Sequence, residues 1–446
     1  MKKIVLSIAG VMAAAAFAPE ASALPAFARQ TGMACTACHA QHFPVLNGFG
    51  RSFKAAGYTM MGAQEKVEGD HLSIPSALNA AILAKVRYQK DNTAGVAAPA
   101  AGVGAQNNVG NGQLQFGDEF SLFFGGRVAE NIGFLFEGNT VAAGAQLLAG
   151  FKLPIMFDMG GAKIGVTPFT TDALGVQYGY ELSSGGVMRA NRWAEHRREV
   201  SAIQYNADRG VDVGQATGFA LTAQNDMGFI NITKWAPSFG MGANGAGIPS
   251  YDMKSTYIRV AATPTVGDWA MVVGAGSMSG TSLTGAAAVV APAVAGTLVD
   301  TKQTFFDFQA QGEVAGKEMG VYLQHASAPA TINGNSYNGA ILAVAPVGAI
   351  AASDRKATTI GVDYTVIPHT LSIGAAYRNA KTGNAVTAAQ VLAGRGTQDN
   401  AITLTAVYDL VQNVALHINH SQYSGNSRNF VGAQKNLTTF MLEAAW

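Results

Sequence analysis

Cysteine is nearly absent from this chain: there are two in 446 residues, with two residues between them. A scaffold stapled by several disulfides is therefore excluded. Charge is scarce, at 13% of residues. Long apolar runs are missing too. Beyond the first residues, no stretch reaches the roughly 20 apolar residues that a membrane helix needs. No catalytic triad, phosphate loop or structural zinc set can be read, and the eight histidines are scattered. An excess of one charge sign is also lacking. Cutting after residue 23 removes two Lys and one Glu and leaves 27 basic and 27 acidic residues. A neutral chain argues against nucleic acid as a partner.

That cut is set by an export pattern. Lys2 and Lys3 precede an apolar run over 4–18, and Ala21-Ser22-Ala23 offers a small-residue cleavage site before Leu24. Residues 1–23 are read as a signal peptide, since the run is too short to span a bilayer.

After residue 72 the texture changes. Mean hydropathy for the chain is +0.16 and Gly reaches 53, and segments of about ten residues alternate apolar with polar, as transmembrane β-strands do. Within 256–262, Tyr257, Arg259 and Ala261 share a face opposite Ile258 and Val260. Within 401–408, Ile402, Leu404, Ala406 and Tyr408 oppose Thr403 and Thr405; within 414–420, Val414, Leu416 and Ile418 oppose His417 and Asn419. Period two directs one set to lipid and the other to a polar lumen. The chain ends on Phe440, Leu442, Ala444 and Trp446 in alternation, resembling the closing strand of outer-membrane barrels. A soluble sandwich would not combine this hydropathy with an export signal.

Short turns near 129–131, 160–161, 225–226, 264–266, 315–316, 368–369 and 411–412 alternate with long connections around 91–111, 171–213, 237–252, 279–301, 327–354, 380–398 and 424–434, with 142–146 a brief one. This spacing predicts a mainly β fold, an antiparallel outer-membrane barrel over 73–446. It has sixteen strands, or eighteen if parts of 171–213 form another hairpin. Short turns mark the periplasmic side and long loops the outer side. Residues 181–212 hold ten acidic or basic residues, Arg197, Arg198 and Glu199 among them. As the third outer loop, this segment either folds inward as a charged constriction or stays a solvated surface. Loops 279–301 and 327–354, broken by Pro292 and Pro346, are expected to pack on themselves or over the mouth.

The two cysteines stand in Cys35-Thr36-Ala37-Cys38-His39. In an exported chain, CxxCH is the attachment sequence of a c-type haem: two thioethers to the porphyrin and the imidazole beneath the iron. A redox dithiol or a structural disulfide would not need the histidine. Residues 24–72 are expected to form a small helical haem domain. Phe43, Leu46, Phe49, Gly50 and Phe53 recur at helical spacing, Pro44 sits near the start, and Gly57 is placed to end the helix. A unit this small needs its cofactor as part of its core. For the opposite side of the iron, Met60 is the first candidate, since it follows where the chain can turn back. Met61, His71 or a barrel residue such as His196 are the alternatives.

Leu24-Pro25-Ala26-Phe27-Ala28-Arg29, the CxxCH string, and Leu46-Asn47-Gly48-Phe49-Gly50-Arg51-Ser52-Phe53-Lys54 with Gly57-Tyr58 resemble the fused monohaem cytochrome c–porin family, the outer-membrane iron-oxidising cytochromes among them. The resemblance is close over the haem domain and architectural beyond it. It implies one covalent haem c, sixteen strands and electron transfer inward from extracellular Fe(II) to a periplasmic c-type cytochrome. Only Cys35, Cys38 and His39 carry over as site residues. A sixteen-strand cylinder would be roughly 32 Å across, and a 48-residue unit has a radius of gyration near 10 Å. The haem domain is thus expected to plug the barrel from the periplasmic side. Outward transfer, or a porin or binding barrel with a structural or sensory haem, are the competing readings.

Overall fold

The computed structural model describes residues 25–40, 45–62, 64–93, 109–140, 147–183, 196–207, 214–239, 253–283 and 298–446, with backbone alone at 117–118. The signal peptide over 1–23, the Phe43–Pro44 start expected for the haem-domain helix, and Pro292 lie outside them.

Eighteen strand segments close into one antiparallel barrel. Two pairs of segments are halves of single strands, so the strands number sixteen. They are β1 (Ala80–Asp91), β2 (Gln113–Ala129), β3 (Ile132–Asn139), β4 (Leu148–Lys152 and Ile155–Asp158), β5 (Lys163–Thr171), β6 (Ala216–Asn225), β7 (Gly228–Ala236) and β8 (Ser255–Ala262 and Thr265–Val266). The others are β9 (Trp269–Ser279), β10 (Gln303–Val314), β11 (Lys317–Ala328), β12 (Arg355–Ile367), β13 (Leu371–Lys381), β14 (Asn400–Val411), β15 (Val414–Ser424) and β16 (Asn436–Ala445). A proline sits in each break, Pro154 in β4 and Pro264 in β8, where a missing N–H interrupts the ladder. β16 pairs with β1, and Trp446 exchanges both backbone bonds with Ile82, so the last residue helps to seal the wall.

The alternation read from sequence is realised. Tyr257, Arg259, Thr403, Asn419 and Met441 face inward and are buried, while Ile258, Val260, Ile402, Leu404 and Phe440 are exposed on the outside. That apolar exterior is the surface a bilayer covers. The tight turns lie within a residue or two of the expected positions, except that 265–266 continues β8 and the turn follows at 267–268. No extra hairpin forms among the described residues of 171–213; they hold a 3-10 turn (Val176–Tyr178), α3 (Arg197–Val200) and α4 (Ala202–Ala207). Loop 329–354 does pack on itself, through Asn335 and Asn338 side chains bonded to the carbonyls of Lys302, Pro329, Ala328 and Ser353.

Before the barrel come α1 (Pro25–Thr31), a 3-10 turn (Cys35–Ala37), α2 (Gly48–Ala55) and a hairpin of Lys66–Gly69 with Leu72–Pro75. α2 begins at Gly48, later than the helical spacing suggested, because Leu46 pairs in extended form with His39 and Asn47 caps the helix. Gly57, at φ +75°, stops it as expected. Barrel pairing starts at Ala80, and the hairpin bridges 66–75.

Candidate functional site

The CxxCH string folds as one 3-10 turn. Cys38 and His39 donate their N–H groups to the Cys35 carbonyl at 3.0 and 2.9 Å. Residues three apart on such a turn project to the same side, so both thiols face one way. Burial first, and Cys35 second, push the Cys38 thiol above its ordinary pKa. Asn47 clamps this turn to α2: its Oδ1 accepts from the Gly50 N–H at 2.9 Å and its Nδ2 donates to the Ala37 carbonyl at 3.1 Å. Its own N–H donates to the Cys38 carbonyl at 3.0 Å. Gly50 allows the approach, since a methyl there would lie 2.2 Å from the Cys38 oxygen. Two thiols on one turn followed by an imidazole form the donor set that covalent haem attachment uses, so Cys35, Cys38 and His39 fit that group.

The remaining ligand candidates separate. Gln30 Nε2 donates to the carbonyls of Tyr58 and Met60, each at 2.7 Å, and the Gly62 N–H returns to Gln30 O at 3.0 Å. The chain therefore does turn back, pinning Met60 and Met61 to the end of α1, just ahead of the cysteines. His71 occupies the exposed turn of the 66–75 hairpin at φ +61°. His196 is committed elsewhere: its Nδ1 meets Ser421 Oγ at 2.5 Å and its Nε2 meets Thr439 Oγ1 at 2.8 Å on the far wall. Phe53 and Tyr58 are buried and Phe27 packs on both, stacked on Tyr58 at 4.9 Å. Phe49 instead lines an open cleft of about 550 Å³, with Asp158, Lys163 and Met271.

The N-terminal segment sits against inward residues at the short-turn end. Arg51 bonds Gln311, Gln224 donates to the Ala55 carbonyl, and the Arg127 N–H reaches Gln30 Oε1 at 3.1 Å. From the long-loop side, residues 176–183 and 196–207 fold into the lumen, in line with the inward reading. Arg259 is held between Glu181 and Asp307. Tyr205 lies between the Arg355 and Arg378 guanidinium groups, 4.1 and 4.5 Å from its ring centre. Glu199 accepts from Tyr423 at 2.9 Å. Burial pushes the Glu199 carboxyl up, but Arg198, Arg378 and His196 outweigh it and hold the carboxyl below its ordinary range. Arg189, Arg192 and Glu195 lie outside the described residues.

No protein-family model matches the chain, and no curated protein does. Solved structures match in fold. OprB of Pseudomonas putida superposes with a TM-score of 0.50 at 9% identity, over 82% of this chain and 94% of its own. The barrel is a porin fold. The outer membrane channel DcaP of Acinetobacter baumannii gives 0.45 at 9% identity, over 83% and 97%. A loop L8 deletion mutant of Vibrio cholerae OmpT gives 0.45 at 12%, over 83% and 99%. At such identities the likeness concerns the fold alone.

The sequence did not reveal α1, although Pro25 at its first position was a start signal. Nor did it reveal the Glu181–Arg259–Asp307 triad. Its one trace was an arginine on the inward face of a mid-barrel strand, since such a charge needs partners.

Proposed function

We propose that this porin-fold barrel is an outer-membrane electron conduit. It takes electrons from an extracellular donor, Fe(II) first among them, and delivers them to a periplasmic c-type cytochrome. Cys35 and Cys38 would hold one haem c, and His39, with Met60 the first candidate beside it, would ligate its iron. In enzymatic terms the activity is Fe(II):cytochrome c oxidoreductase. The observation that carries the reading is the CxxCH turn, clamped by Asn47 and Gly50, on a segment seated in the short-turn mouth. When bound, the haem supplies a one-electron iron couple. Asn47 fixes the attachment turn, Gln30 fixes the Met60 backbone, and the Phe27–Phe53–Tyr58 cluster anchors the segment. The direction of transfer rests on the family resemblance.

A redox titration of the detergent-purified protein, with a pyridine haemochrome assay, tests this. One haem per chain, lost in Cys35→Ser/Cys38→Ser, is the expected result, with reduction by added Fe(II) and reoxidation by a soluble c-type cytochrome. A protein without covalent haem would end the reading. A haem that Fe(II) leaves oxidised, in a barrel with the same conductance with or without it, would favour the porin with a structural haem.

A further inference from the structure

The outside of the barrel near its long loops carries a pair of charges that neither the lumen nor the N-terminal segment uses. Lys356 on β12 and Lys381 on β13 are direct cross-strand partners. Both are exposed, and both alternate with buried residues, Arg355 and Ala357 around one and Ala380 before the other, so both face lipid. Directly opposed residues hold their Cβ atoms about 5 Å apart, and like charges in that position destabilise the pairing. Asp354 meets Lys356 at 3.3 Å, one carboxylate against two ammonium groups. Through the same sheet, Arg355 and Arg378 are buried on the inner side. Polar groups flank the pair: Ser327 is the β11 partner of Lys356, and Thr358, whose Oγ1 meets His325 Nδ1 at 2.8 Å, follows on the outer face of β12.

Farther from the rim the wall turns apolar. Leu323, Ile360, Tyr377 and Ile402 are successive cross-strand partners over β11–β14, and Ile360 and Ile402 are 54% and 53% exposed. Cations at the rim above an apolar row on the same face are the complement of a lipid, phosphate against the ammoniums and acyl chain along the wall. We propose that Lys356 and Lys381 form a binding site for the phosphorylated headgroup of an outer-leaflet lipid. The occupant is a lipid, and not free phosphate, because the cations and the apolar row stand on one outer face, with only the polar row His325, Thr358 and Asn379 between them.

The test uses the full-length protein in detergent and measures binding of bis-phosphorylated lipid A by native mass spectrometry. At about 1 kcal/mol per lysine near a charged surface, Lys356→Gln/Lys381→Gln should weaken binding roughly tenfold to thirtyfold. Lys163→Gln, on the short-turn side, should leave it unchanged, and dephosphorylated lipid A should bind the parent and the double variant equally weakly. Heat-modifiable migration verifies that each barrel is folded. Equal affinity of the parent and the double variant for bis-phosphorylated lipid A would overturn the proposal. So would full displacement by an equal concentration of inorganic phosphate, which would make this a site for the free ion.

Discussion

Gly133→Ala is a direct test of how the N-terminal segment is seated. Gly133 lies on β3 and faces inward, against the turn that ends α2. A methyl group there would stand 1.8 Å from the Gly57 carbonyl oxygen and 3.2 Å from that of Gly126. Ordinary contact between such atoms is roughly 3.5 Å, so the carbonyl would have to retreat by more than about 1.5 Å. It has nowhere to go. Gly57 is held at φ +75° in the helix stop, and Met156 and Pro154 stand 3.1–3.6 Å from where a methyl on it would be, leaving little room to shift. Overpacking of this kind costs about 1–3 kcal/mol, which shifts the seated-to-unseated ratio by roughly fivefold to 150-fold. Subtilisin nicking within 25–62, mapped by mass spectrometry, reads that ratio when opening is fast relative to cleavage. The variant should be nicked faster by that factor. Gly69→Ala, whose methyl meets nothing, should behave as the parent. If Gly133→Ala were nicked at the parental rate in an intact barrel, the seating argument would fail.

Lys54 is half-buried, its ammonium donating to the Ser183 carbonyl, and desolvation lowers its pKa to about 8 against an opposing pull from Glu181. Between about 8 and 10.5 the released segment binds more protons than the seated one, so seating strengthens as pH rises through that window, by at most about 3 kcal/mol. Lys54→Met should remove this slope in the nicking assay; an unchanged slope would assign it to another group. Arg259→Met would leave Glu181 and Asp307 buried without their cation, a loss of about 3–5 kcal/mol. The inward segment should then detach from β8 and conductance in planar bilayers should rise, whereas Arg259→Met/Glu181→Gln/Asp307→Asn should stay closed. Conductance equal to the parent's in the single variant would count against the triad as the latch.

The wall was readable because its code is local. Period two in 401–408 and 414–420 fixes which side chains meet lipid, and Gly, Pro and Asn mark the tight ends. The interruptions were also written in the sequence, as Pro154 and Pro264, but a broken strand and a turn have the same composition. That ambiguity placed one turn at 264–266 when Thr265 and Val266 still pair. What fills the lumen was harder to read, since it is made of contacts distant in sequence. His196 meets Ser421 and Thr439 more than two hundred residues away, and no spacing rule encodes that. The CxxCH turn was legible as a string, yet the reason Asn47 and Gly50 accompany it emerges only once Asn47 is seen bonding the turn and Gly50 touching the Cys38 carbonyl.

Two segments enter the barrel from opposite ends and meet inside it. Lys54 of α2 reaches Ser183, and Gln224 on the wall accepts from the Tyr180 hydroxyl while donating to the Ala55 carbonyl. Lys152 lies 5.3 Å from the Tyr58 ring centre and 4.6 Å from that of Tyr178, joining the same two segments a second time. A helix with its side chains is about 10–12 Å thick, so two segments take up most of a lumen that side chains have already narrowed from roughly 32 Å. Solute passage would have to break these contacts, together with the buried Arg259–Glu181 and Arg259–Asp307 ion pairs that hold the inward segment to the wall. Electron transfer asks for the opposite: fixed distances, excluded water and no open channel. A lumen cross-braced in this way meets those demands, and the same bracing predicts that loosening either segment raises conductance. If Gly133→Ala and Arg259→Met each leave conductance at the parental level while nicking shows that the segments have moved, something other than these two segments closes the barrel.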